Sequence, residues 1–292
     1  MIKLLARKIV GVVVAFNPDV AQIRLTVQAL AGQVETVFLL DNSDNGANVA
    51  AQLADFPTLR YIGNNGNQGI AQALNRALHE AKADGAGWLL TLDQDSSLPA
   101  GYVGSLATYL DDRVDGARIG VLGAAFSSSS DDGNQPAAPS GEVEYLITSG
   151  NLLNVDAALS VGGFREDFFI DYVDVEMCFR LRRRGFKVVQ HPSLIFAHEL
   201  GAIKRSRFLR WSFVASHHSA ARRYYMTRNR LVFYAEYFGS HRQFVLTDAT
   251  HMLKEIFKIF LVEDRKLVKV KAITLGIVDV VRGKMGKAPH RF

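Results

Sequence analysis

Apolar and polar positions come in alternating blocks through the first half of the chain. Residues 9–16 (IVGVVVAF) are apolar and largely β-branched, as in a strand covered on both faces. Asn17-Pro18 follows, predicting an N-cap and a proline at the first helical position. Val20, Ile23, Leu25, Val27 and Leu30 suit a helix to about residue 31. Residues 36–40 (TVFLL) predict a second strand, ending in the polar turn Asp41-Asn42-Ser43-Asp44-Asn45-Gly46. A helix over 47–54 and a short strand over 59–62 come next. Ile70, Ala73, Leu74, Ala77 and Leu78 share one face of a helix over 69–83. Residues 87–92 (GWLLTL) predict a fourth strand, ending at Asp93-Gln94-Asp95. Strand–helix units joined by short loops imply a parallel, doubly wound sheet.

The second half is less regular. Residues 127–140 are rich in Ser, Asp, Gly and Pro and read as a loop. A strand over 143–148, a Gly-Asn turn, a helix over 174–184 stopped by Gly185 and a strand over 186–190 are expected. From residue 208 onward the pattern is helical, with basic and aromatic residues mixed. No internal repeat is visible.

Composition narrows the class. The chain has 292 residues, 48% hydrophobic and 22% charged, enough to bury a full core and unlike a disordered chain. The apolar run at 9–16 is too short for a membrane-spanning helix or a signal peptide, and a cytoplasmic protein is expected. The single cysteine, Cys178, excludes an internal disulfide and a Cys-cluster zinc site. Charge is split. Residues 1–200 carry 15 Lys and Arg against 23 Asp and Glu, a net of −8. Residues 201–292 carry 19 against 6, a net of +13. An acidic body and a basic tail suggest chemistry in the first and attraction to an anionic surface in the second.

In an open α/β sheet, ligands bind at the carboxyl ends of the strands. Three predicted strands end in polar residues: Asn17, Asp41-Asn42 and Asp93-Gln94-Asp95. Phe16-Asn17-Pro18-Asp19 after the first strand is not a G-x-G-x-x-G turn, and no P-loop motif occurs, which disfavours the usual dinucleotide and P-loop sites. Asp93-x-Asp95 suits a hard divalent ion, Mg²⁺ or Mn²⁺, with positions left for phosphate oxygens. It also suits a solvated turn before Pro99. The run from Asn64 to Gly69 opens a helix, either as a close-approach anion site or as a Gly-rich cap. Asp171, Asp174 and Glu176 crowd beside Arg180 and the arginines at 182–184. The ordinary pairing of acids and bases with a helix dipole accounts for Glu176 and the last arginines better than for Asp171. His198 reads as a metal ligand or as a structural histidine.

Together these residues resemble the family-2 glycosyltransferases, nucleotide-diphospho-sugar enzymes of the GT-A fold, in order over about residues 8–200. Residues 12–18 resemble the first-strand loop that holds the nucleotide base, and Asp41-Asn42-Ser43 the base-reading turn. Asn67-x-Gly69-x-x-x-Ala73-x-Asn75 resembles the family's Asn-x-Gly element, and Asp93-x-Asp95 takes the place of the metal motif. Ser149-Gly150-Asn151 and Gly162-Gly163-Phe164 resemble the acceptor-side turns. The segment from Asp171 to Arg180 stands where the family reads Glu-Asp-x-Asp…Arg, but Val173 replaces the usual Glu and Glu176 the usual Asp. Asp174 is then the best-matched base, with Asp171 next. The wording of this segment, and Tyr224-Tyr225-x-x-Arg228-Asn229, look most like the rhamnosyltransferase branch.

The resemblance implies an α/β, GT-A, Rossmann-like and mostly parallel sheet over 1–205, with a helical basic extension over 206–292. It implies an inverting, metal-dependent transfer of L-rhamnose from dTDP-rhamnose to a lipid-linked or polysaccharide acceptor in surface glycan synthesis. Phe16, Asn17, Asp41, Asn42, Asn67, Gly69, Asn75, Asp93 and Gln94 would bind the donor. Asp95, Asp93 and His198 would hold Mg²⁺ or Mn²⁺. Ser149, Gly150, Asn151, Arg180, Arg222, Tyr225 and Arg228 would face the acceptor.

In the tail, residues 251–271 mix apolar positions with lysines. This reads as peripheral attachment to the inner face of an anionic membrane, or as a helix packed on the catalytic domain. No nucleic-acid motif is present. Rival readings are a haloacid-dehalogenase-like phosphatase, for which Asp93-x-Asp95-x-Ser97 stands too late in the chain, and a non-catalytic sugar-nucleotide scaffold, which Val173 keeps open. A nucleotidyltransferase would need a basic Gly-rich loop after the first strand.

Overall fold

The continuous apolar runs become the centre of a sheet in the computed structural model. Residues 8–44, 47–127, 141–197, 204–208, 211–215 and 217–292 are described. They form two units, Met1–Glu166 with Val173–His198, and Asp167–Tyr172 with Glu199–Phe292.

In the first unit, β1 (Ile9–Ala15), β2 (Thr36–Asp41), β3 (Leu59–Gly63) and β4 (Trp88–Asp93) are parallel, in the order β3-β2-β1-β4. Val12 stands opposite Phe38 on one side and Thr91 on the other, so the polar ends of β1, β2 and β4 come out along one edge. Helices α1 (Val20–Ala31), α2 (Ala47–Gln52) and α3 (Ile70–Ala83) alternate with these strands. Val13, Leu39 and Leu90 are fully buried. Each such side chain contributes about 1.5–3 kcal/mol of apolar burial.

The N-cap of α1 is Asp19, whose Oδ1 accepts from the Gln22 amide at 3.0 Å. Asn17, expected in that role, lies two residues before the cap, with φ 45° rather than the extended backbone of Asp19.

Beyond β4 the sheet continues β7-β5-β8-β6. These are β5 (Ile119–Ser127), β6 (Gly141–Glu142), β7 (Asn151–Asn154) and β8 (Lys187–Ala197). Strand β7 runs antiparallel to both neighbours, and β5 and β8 are parallel. The strand expected over 143–148 is not formed. The place between β4 and β5 is taken instead by β7, whose Leu152 and Leu153 are both buried. Helices α4 (Tyr102–Asp111), α5 (Val155–Ser160) and α6 (Val173–Arg183) complete the unit. The loop expected over 127–140 lies outside the described residues except for Ser127, which ends β5.

In the second unit the chain is not helical from 208. An antiparallel hairpin, β9 (Lys204–Phe208) and β10 (Trp211–Ala215), precedes α7 (Ala220–Tyr237), α8 (Arg242–Val262) and α9 (Lys266–Val281). Helix α9 packs on α7 at Gly276, where an added Cβ would lie 2.9 Å from the Tyr224 carbonyl oxygen. Further along α7 the stacked rings of Phe233 and Tyr237, 4.4 Å apart, are buried.

Candidate active site

At the carboxyl edge of the first unit, hydrogen bonds tie one strand end to the next. The Phe16 amide donates to Gln94 Oε1 at 2.7 Å, and the Asn17 amide to Ser43 Oγ at 2.7 Å. Thr26 Oγ1 donates to the Gln94 carbonyl at 2.9 Å. Asp41 is buried; its carboxylate accepts from the Ser43 amide at 2.8 Å and from the Tyr61 hydroxyl at 3.1 Å. Its own burial, and then the Asp41 carboxylate, push the Tyr61 phenol up to about 12.

Asn42 is buried as well. Its Nδ2 donates to the Gly69 carbonyl at 3.1 Å, and its Oδ1 accepts from Asn64 Nδ2 at 2.7 Å. Asn64 also donates to Gln72 Oε1 at 2.8 Å and accepts from Arg76 at 2.9 Å. Asn67 Oδ1 accepts from the Gly69 amide at 3.0 Å, and Gly69 takes φ 88° before α3 begins. The Asn-rich run is therefore a hydrogen-bonded turn with Asn64 at its hub, a residue the sequence placed in the turn without a role. Its signal was its position at the end of β3, level with Asn42.

Asp93 ends β4 half-buried, and Asp95 is exposed. The Asp93 amide donates to Ser149 Oγ at 3.0 Å, which lies 3.0 Å from Ser96 Oγ. The Gly150 amide donates to the Thr91 carbonyl at 2.7 Å, and its own carbonyl accepts from the Tyr102 hydroxyl at 2.7 Å. Thr91 Oγ1 bonds the Thr148 carbonyl, and the Thr148 amide donates to Asp174 Oδ2 at 3.2 Å. The turn at 148–150 thus links the Asp93–Asp95 exit to Asp174, in the first turn of α6. Sequence reasoning misses Tyr102 and Thr148, which make two of these links, because their partners lie 48 and 26 residues away.

A cavity of about 20 Å³, room for about one water, lies among Thr91, Thr148, Asn151, Asp174 and Cys178. The Asn151 amide nitrogen bonds the Ile147 carbonyl. Cys178 is fully enclosed, and burial pushes its thiol up to about 12, so it is no thiolate nucleophile at neutral pH.

Other candidates serve as struts. Asn75 exchanges hydrogen bonds with the Phe164 backbone at 2.6 and 2.8 Å and donates to Glu166 at 2.8 Å. Arg180 forks onto the buried Glu176 carboxylate, at 2.6 Å for the closest contact, and donates to the Val161 carbonyl at 2.8 Å.

The remaining candidates belong to the second unit. Asp171 accepts from Arg222 at 2.5 Å, with the Arg222 side chain exposed. The Tyr225 hydroxyl accepts from the Ala288 amide at 2.7 Å, and its ring stacks on Phe169 at 5.1 Å. Arg228 is fully buried and donates to the carbonyls of Gly286, Asp167 and Phe168 at 2.6 to 3.0 Å and through Nε to Asn229 Oδ1 at 3.1 Å, so its guanidinium is spent within the fold. His198 lies outside the described residues. Among the described residues there is no cluster of three or more His, Cys, Asp or Glu side chains that could hold a metal.

A mixed, mostly parallel sheet with its polar strand ends joined in this way is the GT-A architecture. The glycosyl transferase family 2 model matches residues 12–157, and the chain belongs to that family. It is 26% identical to the dTDP-rhamnosyl transferase RfbF of Shigella flexneri, over 95% of this chain and 97% of that protein. Among solved structures, S. aureus TarS 1-349 in complex with UDP-GlcNAc aligns with a TM-score of 0.60 at 13% identity, over 95% of this chain and 81% of that one. GalNAc-T7 with UDP, GalNAc and Mn²⁺ aligns with a TM-score of 0.52 at 13% identity, over 70% of this chain and 44% of that one.

Proposed function

We propose that the chain transfers L-rhamnose from dTDP-rhamnose to a hydroxyl of a lipid-linked or polysaccharide acceptor in cell-surface glycan synthesis, inverting the anomeric centre. One observation carries the glycosyl-transfer reading: the chain of hydrogen bonds from Asp41 by way of Ser43, Asn17 and Phe16 to Gln94, and from Asp93 and Thr91 through the 148–150 turn to Asp174, with Asp95 exposed beside it. The similarity to a dTDP-rhamnosyl transferase along nearly the whole chain supports the choice of donor.

The donor set suits a hard divalent ion. Asp95 is exposed and Asp93 half-buried, both offer carboxylate oxygens, and Mg²⁺ or Mn²⁺ is held by one or two carboxylates with the rest of its shell left to phosphates and water. Asp95 and Asp93, joined by His198, would hold it. When bound, such an ion neutralises charge on the departing diphosphate.

Asp41 and Asn42 fix the turn against which the base would lie, and Gly69 leaves backbone room beside it. Asp174 is the proposed general base. Its two oxygens accept from the amides of Thr148 and Val175, which aims the carboxylate. The acceptor oxygen attacks the anomeric carbon, its proton passes to Asp174, and the bond from that carbon to the phosphate oxygen breaks, releasing dTDP. One displacement inverts the centre, and no nucleophilic side chain is required.

Asp174→Asn tests the assignment. Turnover should fall about 10²–10⁴-fold while dTDP-rhamnose still raises the melting temperature. Unchanged turnover removes Asp174 as base. Stabilisation by UDP or GDP sugars but not by dTDP-rhamnose removes the donor.

A further inference from the structure

Helix α8 sorts its side chains by charge. It has two acids, Asp248 and Glu255, and both turn toward α7. Asp248 accepts from Tyr234 at 2.5 Å and pairs with Arg230 at 3.3 Å. Glu255 pairs with Arg230 at 3.0 Å and Arg223 at 3.3 Å. The far side of the helix carries Leu246, Leu253, Phe257 and Phe260, exposed by 49%, 63%, 61% and 53%. Their spacing of i, i+7, i+11 and i+14 puts them in one stripe. Lys254 and Lys258 flank it. At its end the Lys266 ammonium bonds the Phe260 carbonyl at 2.7 Å, beside Leu267, which is 86% exposed.

This is an apolar stripe with mostly positive charge around it, Asp264 at its end being the one exposed acid nearby, on a segment of net charge +13. Water is a poor cover for four large side chains in a row. A second copy of the chain would bring two strongly cationic surfaces together, and like charge opposes that contact. An anionic lipid surface satisfies both the apolar stripe and the lysines. Among the described residues no helix is long and apolar enough to cross a membrane, so the contact would be peripheral.

We propose that this face of α8 docks on an anionic lipid surface. Leu253, Phe257 and Phe260 enter the boundary between headgroups and acyl chains, and Lys254, Lys258 and Lys266 meet lipid phosphates.

Flotation of the full chain with vesicles tests this, comparing phosphatidylcholine containing about 30% phosphatidylglycerol with phosphatidylcholine alone. The chain should float with the anionic vesicles, hardly with the neutral ones, and lose the interaction as salt is raised. The pair Leu253→Gln with Phe257→Gln should weaken partitioning at least about tenfold. The pair Lys254→Gln with Lys258→Gln should weaken it about fivefold per lysine at low salt. Each altered residue is on the surface, so the melting temperature should hold. Equal flotation of the apolar double variant and the parent, or no flotation with anionic vesicles, overturns the proposal. So does a concentration-dependent dimer that Phe257→Gln abolishes. Thermal shift with dTDP-rhamnose on the same samples reports donor binding separately, so the two readings fail independently.

Discussion

Asn75 and Phe164 hold each other through both ends of one amide group. The Phe164 amide donates to Asn75 Oδ1 at 2.6 Å, and Asn75 Nδ2 donates back to the Phe164 carbonyl at 2.8 Å. The pair fastens α3 to the turn at 162–164, 89 residues away in sequence. Gly163 is needed there, because a Cβ would fall 2.4 Å from Asn75 Oδ1 in a backbone already at φ 72°. Asn75→Ala should cost about 2 kcal/mol, as two backbone groups lose their partner. Denaturant unfolding measures it. If the donor KM rises far more than stability falls, Asn75 also touches the donor.

The exposed Asp95 carboxylate gives a cleaner test of metal use. Asp95→Ala should leave the melting temperature within a degree or so, since a surface substitution is nearly neutral. The Mn²⁺ concentration for half-maximal activity should rise at least about tenfold. A variant with the parent's Mn²⁺ activation curve would show that Asp95 is not a ligand.

Asn229 holds a strained segment in place. Its fully buried amide nitrogen donates to the carbonyls of Phe168, Ile170 and Asp171 at 3.0, 2.8 and 2.8 Å. Phe169, Asp171 and Tyr172 all have positive φ, at 65°, 65° and 68°. Such residues cost about 1–3 kcal/mol each and persist only where the surroundings dictate them. Asn229→Ala should destabilise by about 2–4 kcal/mol. Asn229→Asp, which points a carboxylate at three carbonyls, should be worse at neutral pH. The reverse order in thermal unfolding would discount the hydrogen bonds as the cause.

His218 makes stability fall in mild acid. Burial, with Arg222 and Arg223 close by, pushes its imidazole down to about 4, against an unperturbed value of about 6.5. The unfolded chain therefore takes up the proton first. The contribution is complete above about pH 6.5 and is lost as pH falls toward 4. The ring is partly open to solvent, so the loss is about 1–2 kcal/mol after screening. Melting temperatures between about pH 7 and pH 5 should show this slope for the parent, and His218→Gln should flatten it.

The parallel half of the sheet is legible in the sequence because its strands are buried on both faces. That burial writes itself as apolar runs at 9–15, 37–40 and 88–92, the last broken only by Thr91. The Asp41-Asn42 and Asp93-Gln94-Asp95 exits follow, because a polar residue after such a run has to leave the sheet. Strand β7 is hidden for the opposite reason. Four residues, Asn-Leu-Leu-Asn, are too few for any periodicity, and their place comes from antiparallel pairing with Trp88 to Thr91 far upstream. Helix α4 and strand β5 also went unread; β5 is rich in glycine and alanine, which carry weak strand preference.

Residue types alone determined the family pattern, the strand-end acids and the basic tail, because these rest on local composition and spacing. Only the folded chain decided what each polar side chain does. Arg228 and Arg180 look in sequence like cations awaiting an anionic ligand, yet one is buried on three backbone carbonyls and the other is forked onto Glu176. Arg180 finds its partner one helical turn away, but a buried charge must find partners wherever the chain brings them, and the carbonyls that hold Arg228 lie 58 to 61 residues away, where no local pattern records them.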